Sequence, residues 1–346
     1  MSRRITIDDV ARQAGVSKVT VSYVLNGRSA VARISTATQE RVQQVATSLG
    51  YRPNALARSL STQRTDTLAV VLQSGSYFSA WSAFTSEVMR GVSEACFECG
   101  FDLMLHTKGV SSAEDEAANL SDGRVDGVLV LRDEDDVTLL RLVERKVPCV
   151  QFFTHSEDLN VPSVDLDNEA GGRLATEHLL SLGHREIAMI CGSSHSVSST
   201  ERVLGFQKAL QGAGINPQPQ WIVPATSNEA DMGPIVEMLS GDSAPTAAFV
   251  WSDDIALMLM RDLRAHGVQI PDDLSIVGFD SLPAAETAVP ALTSVRQPVR
   301  TMAAEATRML VHKVRGEPIA TPKVLFTPIL DIRASTAPHS SGLTTR

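Results

Sequence analysis

From residue 68 onward, short β-branched apolar runs alternate with longer stretches of helical periodicity, and this leaves few architectures open. The runs at 68–72, 102–105, 127–131, 149–152, 163–166, 187–191, 247–251 and 275–279 read as strands. Helices are expected at about 80–99, 169–182, 201–213 and 253–266. Strand, helix and strand joined by short connections force parallel pairing with helices on both faces. The alternation exceeds one sheet, so two Rossmann-like lobes are expected, and such folds bind ligands at the carboxyl ends of their strands.

The first 62 residues follow a different pattern. Through Thr65 there are ten Lys or Arg against three acids, a net of +7, while the remainder carries −16. A basic module on an acidic body suits a nucleic-acid binder whose body must not adhere to phosphate. Charge alone leaves a chance surface excess equally open. Thr6 can cap a helix with Ile7, Val10, Ala11 and Ala14 on one face and Asp8 and Asp9 in its first turn, ended by Gly15. Ser17 caps a second helix after a turn so short that the chain must fold back, which is the helix-turn-helix arrangement. Val21, Val24 and Leu25 then face inward. At ~100° per residue, Lys18, Val19, Ser22, Tyr23 and Asn26 face outward. A cation, an apolar methyl, a hydroxyl, a phenol and an amide together suit the major groove of DNA. Ser35 caps a third helix ended by Gly50, and Pro53 opens a helical stretch to Leu60 that is too short to be stable alone.

These residues resemble the DNA-binding head and hinge of the LacI family of bacterial transcription regulators. The likeness rests on Thr6-Ile7-Asp8-Asp9-Val10-Ala11, Ala14-Gly15-Val16-Ser17, Thr20-Val21-Ser22, Val24-Leu25-Asn26 and the run from Gly50 to Leu60. It implies that Lys18, Val19 and Tyr23 read bases, with Ala57 and Leu60 of the hinge helix in the minor groove, where Leu60 wedges the central step. A core role is the alternative for Leu60. Thr6, Ser17, Thr20, Ser22, Asn26, Ser35 and Asn54 are implied to hold phosphates and set register. The loop at 27–34 is longer than the family pattern and adds Arg28 and Arg33. A bulge near the backbone is expected there, with the recognition helix undisturbed.

The likeness continues through Leu182-Gly183-His184-Arg185-Glu186-Ile187, Glu201-Arg202 with Gly205-Phe206, Ile276-Val277-Gly278-Phe279-Asp280, Gln297-Pro298 and Ile332-Arg333-Ala334-Ser335-Thr336. It implies a head at 1–52, a hinge helix and linker at 53–65, an effector domain at 66–337 and a flexible tail at 338–346. The fold class is then an all-α helix-turn-helix head and hinge helix followed by an α/β periplasmic-binding-protein-like effector domain. That domain has two doubly wound parallel-sheet lobes joined by three crossovers. The first lobe would hold 66–164 and 294–325, and the second 165–293 and 326–337. Tyr77, Phe78, Arg202, Trp251, Ser252, Asp253 and Asp280 would line the cleft between them. Aromatic faces that stack on a sugar ring, with charged groups for its hydroxyls, suit a polyol. Core packing remains open for Trp251 and Phe78. Phe153 stands where many relatives carry aspartate, and Ser252 where several carry asparagine.

The remaining features point away from catalysis. Cys96 and Cys99 form a CxxC with no second pair to complete a metal site, within a helical pattern. His106, His184 and His195 lack ligand spacing, and capping or surface roles are expected for His184. GxSxG, GxxxxGK[ST] and GxGxxG are absent. No apolar run approaches the ~20 residues of a membrane span. Arg3 and Arg4 run into Asp8 and Asp9 with no signal-peptide core, so residence in the cytoplasm is expected. The expectation is a homodimeric repressor of a pseudo-palindromic operator, without cofactor, controlled by a small molecule. A sugar is favoured, and a purine stays open because Tyr77-Phe78 resembles the pair of a nucleobase-responsive relative. A sugar-binding transport protein and a nucleotide-dependent enzyme are the rival classes. The polar tail has no leucine heptad, so no tetramer-forming coil is expected.

Overall fold

The computed structural model describes residues 5–26, 32–52, 59, 62, 64–72, 83–132, 136–156, 159–225 and 232–339. Two compact units divide at Asp66. In the first unit, helices α1 (Ile7–Ala14), α2 (Lys18–Leu25) and α3 (Thr36–Ser48) surround a small core of Val10, Ala11, Ala14, Val21, Val24, Val42 and Ala46. The helix starts are locally encoded. Asp9 accepts from both the backbone and the hydroxyl of Thr6 at 3.0 and 2.8 Å, and Ser17 accepts from the Thr20 amide at 3.1 Å. Gly15 at φ +64° ends α1 in the left-handed conformation. The hinge stretch from Pro53 to Arg58, with Leu60, lies outside the described residues.

The second unit holds two six-stranded sheets. The strands are β1 (Thr67–Val71), β2 (Asp102–Leu105), β3 (Gly127–Val130), β4 (Cys149–Phe152), β5 (Ser163–Leu166), β6 (Ile187–Cys191), β7 (Ile222–Pro224), β8 (Ala247–Val250), β9 (Ser275–Asp280), β10 (Thr293–Arg296), β11 (Lys323–Phe326) and β12 (Ile329–Asp331). The first sheet runs β11-β5-β4-β3-β1-β2, with every pairing parallel. The second runs β12-β10-β9-β8-β6-β7 and is parallel apart from β12, which is antiparallel to β10. Helices cover both faces, so the central strands are buried without alternation. The covering helices are α4 (Ala83–Cys99), α5 (Ala113–Leu120), α6 (Thr138–Glu144), α7 (Asn168–Ser181), α8 (Val197–Gly212), α9 (Gly233–Ser240), α10 (Asp253–Ala265), α11 (Pro283–Thr287) and α12 (Val299–Arg315).

The chain passes between the lobes after β5, after β10 and between β11 and β12. Four expectations change here. Residues 294–296 pair with β9 in the second sheet, so the return to the first lobe falls after Arg296 rather than at 294. The last strand runs backwards because the two-residue link from β11 delivers the chain to the second sheet at its carboxyl edge, and β12 can only enter from there. Helix α8 starts at Val197, four residues before the periodicity predicts, because Ser196 caps it. His184 is buried rather than on the surface, with ring nitrogens 2.9 Å from the Thr246 hydroxyl and 3.0 Å from the Ala337 carbonyl. It pins the C-terminal segment to the second lobe. Cys96 is buried in α4, where desolvation pushes its thiol up to about 11. Among the described residues no helix is long and apolar enough to cross a membrane, and no cluster could hold a metal ion.

Candidate DNA-reading face and effector cleft

The turn at 15–17 carries α2 across α1 and buries Val21 and Val24, which leaves the opposite face open. Lys18 and Val19 are exposed, Val19 at 62%, while Thr20, Ser22, Tyr23 and Asn26 are half-buried. Lys18 lies 2.5 Å from Asp8 of α1, a surface pair of little intrinsic strength. Asn26 donates its side-chain amide to the Ser22 hydroxyl at 3.1 Å. Ser35 accepts from the Thr38 amide at 3.4 Å, so α3 starts where the sequence places it despite the longer preceding loop. Arg33 is exposed at φ +49°, and Arg28 lies outside the described residues. Asn54, Ala57 and Leu60 lie outside them as well.

In the second unit the centre of the cleft is Arg202 of α8. Helices α7 and α8 approach so closely that a Cβ on Gly172 would overlap the Arg202 carbonyl, and one on Gly205 the Glu169 carbonyl. This seats the Arg202 side chain at the ends of the strands, 5% exposed. Its guanidinium donates to the Asn168 side-chain oxygen at 3.0 Å, the Trp251 carbonyl at 2.6 Å and the Gln297 side-chain oxygen at 3.3 Å. It lies 3.5 Å over the Phe279 ring. Burial pulls its pKa down to about 10, against the opposing charges of Asp280, Asp165, Glu201 and Asp253. Asp280, the last residue of β9, is 4% exposed at φ +106°. Such a backbone conformation in a non-glycine residue is costly and clusters at binding sites. Burial raises the Asp280 carboxyl well above the carboxylate range, while the Arg202 charge opposes the rise.

Trp251 is half-buried. Its indole N–H donates to the Ala225 carbonyl at 2.9 Å, and its ring lies against Gly192, where a Cβ would clash. Ser252 caps α10 by accepting from the Ile255 amide at 3.4 Å. Asp253 was expected to line the cleft, but its carboxylate is turned inward. It is fully buried, and its two oxygens accept from the Ser294 hydroxyl and the Leu282 amide, which makes it a strut inside the second lobe. Tyr77 and Phe78 lie outside the described residues.

Several groups that sequence reasoning missed also meet here. Asp254 of α10 accepts from the Ala83 amide at 3.4 Å, a bond from the second lobe to the start of α4 in the first. His155, on the segment after β4, sits 2.9 Å from Asp165 and 3.6 Å from Glu201 of the other lobe. Phe153, which the sequence had already singled out, is at φ +58° and meets Phe84 edge to face at 5.0 Å. The Gln297-Pro298 pair directly after β10 was the one available sequence signal, whereas Asn168 lies within a helix start like any other.

The comparisons with known proteins agree with this geometry. Residues 6–54 match bacterial regulatory proteins of the lacI family, and 176–336 match a periplasmic binding protein-like domain. The chain is 38% identical over 343 residues to the HTH-type transcriptional regulator CelR of Thermobifida fusca, covering 96% of this chain and 98% of that one. A solved CelR–cellobiose complex is similar with a TM-score of 0.72 and 34% identity, covering 96% of this chain and 100% of that one. The Lac repressor dimer bound to operator and the anti-inducer ONPF is similar with a TM-score of 0.82 and 27% identity, covering 97% and 100%. With a helix-turn-helix head, two crossover-linked lobes and these likenesses along nearly its whole length, the chain belongs to the LacI family of bacterial transcription regulators.

Proposed function

We propose that this protein is a cytoplasmic, homodimeric repressor that reads a pseudo-palindromic DNA operator and is controlled by a carbohydrate bound in the cleft. The exposed α2 face carries the first half of the reading. An exposed Val19 beside Lys18 and Tyr23, on a helix that buries Val21 and Val24 on its other face, offers donor, methyl and phenol to base edges. In this reading Lys18, Val19 and Tyr23, with Ala57 and Leu60, read bases. Thr6, Ser17, Thr20, Ser22, Asn26, Ser35 and Asn54 hold the phosphates. One recognition helix makes too few contacts for specificity, whereas two match a palindrome. Phe97, 88% exposed on α4, is the kind of apolar surface that a second copy would cover.

Arg202 carries the second half. A buried guanidinium with N–H groups left for a ligand, beside Asp280, Ser252 and the half-buried Trp251, suits a ring bearing several hydroxyls. The likeness to CelR makes cellobiose the first compound to try. The protein acts by binding and not by turnover, in keeping with relatives that are regulators. Selection from a randomised duplex library, followed by anisotropy titration of the recovered site with cellobiose, other sugars and purines, tests the whole reading. Enrichment of a palindrome whose affinity a sugar changes supports it. Salt-sensitive binding with no enriched site would require its withdrawal.

A further inference from the structure

We propose that Asn168 and Gln297 are positioning residues that make Arg202 a direct link between the cleft and the interlobe hinge. Resting on the reading of the cleft as the effector site, this adds how occupancy reaches the hinge. Asn168 opens α7 immediately after the first crossover, and Gln297 follows β10 at the second. Any rotation of one lobe against the other bends these two segments together with the third, between β11 and β12. Both side chains are buried, at 1% and 5% exposure, and both offer an amide oxygen to the same guanidinium.

Each is anchored to its own crossover. The Asn168 amide group donates to the Leu166 carbonyl at 3.0 Å and to Asp165 at 3.4 Å, which fixes it to β5 of the first lobe. The Gln297 backbone N–H donates to the Asp280 carbonyl at 3.2 Å, at the end of β9. Arg202 comes from α8, an element of neither crossover, and its position is set by the Phe279 ring and the Trp251 carbonyl. Three of its five N–H groups are engaged by Asn168, Trp251 and Gln297, which leaves two for a ligand. Hydrogen bonds weaken steeply with misalignment. A ligand that draws the guanidinium toward itself therefore disturbs both crossovers at once, through a rigid planar group that cannot serve one without the other.

The test is hydrogen–deuterium exchange of the full-length protein, read by mass spectrometry in the two crossover segments and requiring no ligand. Asn168→Ala is expected to raise exchange about tenfold at the Gln297 amide, which Asn168 does not touch, because a charge-assisted bond to Arg202 is lost. Gln297→Ala is expected to do the same at the Asp167 and Ala170 amides. Gln297→Glu keeps the acceptor oxygen that faces Arg202 and should keep the Asp167 and Ala170 amides protected. A rise confined to the substituted segment would overturn the proposal, as would a carboxylate variant that exchanges as fast as the alanine one. If one alanine variant fails to fold, the reciprocal variant carries the same prediction. Failure of cellobiose to change DNA binding would count against the sugar reading alone, since the exchange pattern is measured in its absence.

Discussion

The hydroxyl of Ser294 donates to the carboxylate of Asp253 at 2.6 Å, and through this one bond β10 is tied to the start of α10 at the floor of the cleft. The second Asp253 oxygen accepts from the Leu282 amide at 2.8 Å, so the carboxylate joins three segments of the second lobe. Asp253→Ala leaves a buried hydroxyl and a buried N–H unpaired and is expected to cost about 2 to 4 kcal/mol. Ser294→Ala removes one bond and should cost about 1 to 2 kcal/mol. Urea unfolding of both variants measures the difference, and equal small losses would contradict this role.

The same carboxylate makes stability depend on pH. Burial raises the Asp253 pKa to about 7, and that of Asp254 to about 6. A group whose pKa is raised on folding contributes stability that is fully present below the ordinary aspartate range and is lost as pH rises through the folded value. Burial of His106, His178 and His184 lowers their pKa values, so they act in the opposite sense, contributing stability present above the ordinary histidine value and lost as pH falls through the lowered folded values. The comparison must therefore be with Asp253→Asn. Between pH 5 and pH 8 the parent should lose on the order of 2 kcal/mol more stability than this variant, measured by denaturant melts at each pH. Parallel profiles would show that Asp253 does not titrate in this window.

In the proposed reading of the head, the base-reading residues of α2 and the phosphate-holding Ser35 at the start of α3 should separate experimentally. Val19→Ala and Tyr23→Ala are expected to relax discrimination at particular base pairs, by about 1 to 3 kcal/mol each. Ser35→Ala should weaken all duplexes alike and also cost about 1 kcal/mol of head stability through its lost cap. Anisotropy against single-base variants of the selected site tells the two patterns apart.

Phe97 is the most exposed large apolar residue among those described. Phe97→Glu adds a charge to α4 without disturbing its buried face and should weaken self-association at least about tenfold if this helix meets a second copy. Sedimentation velocity over a concentration series checks it, and an unchanged equilibrium would place the dimer contact elsewhere.

The head was legible in the linear chain because its determinants are local. Thr6, Gly15, Ser17 and Ser35 cap or end helices within a few residues of themselves, and the apolar spacing of α1 to α3 reports one small core. The body was legible where strands are continuous apolar runs, as in β3 and β8, whereas β10 is buried but reads Thr-Ser-Val-Arg and gives no such run. Less regular elements were not. Strands β7, β11 and β12 are short, lie at sheet edges and carry exposed residues such as Leu325 and Ile329, so their periodicity is weak.

The cleft divides in the same way. Arg202 and Asp280 could be named from the sequence because a motif surrounds each of them. That Asp253 is spent internally and that Asn168 and Gln297 converge on one guanidinium could not be read there, because 34 and 95 residues separate those two bonded partners from Arg202. Residue type and spacing determined which elements form and which faces are apolar, since these depend on neighbours along the chain. Only the tertiary structure decided which buried charges pair, since desolvation penalises an unpaired buried polar group and the fold determines which partners come within reach.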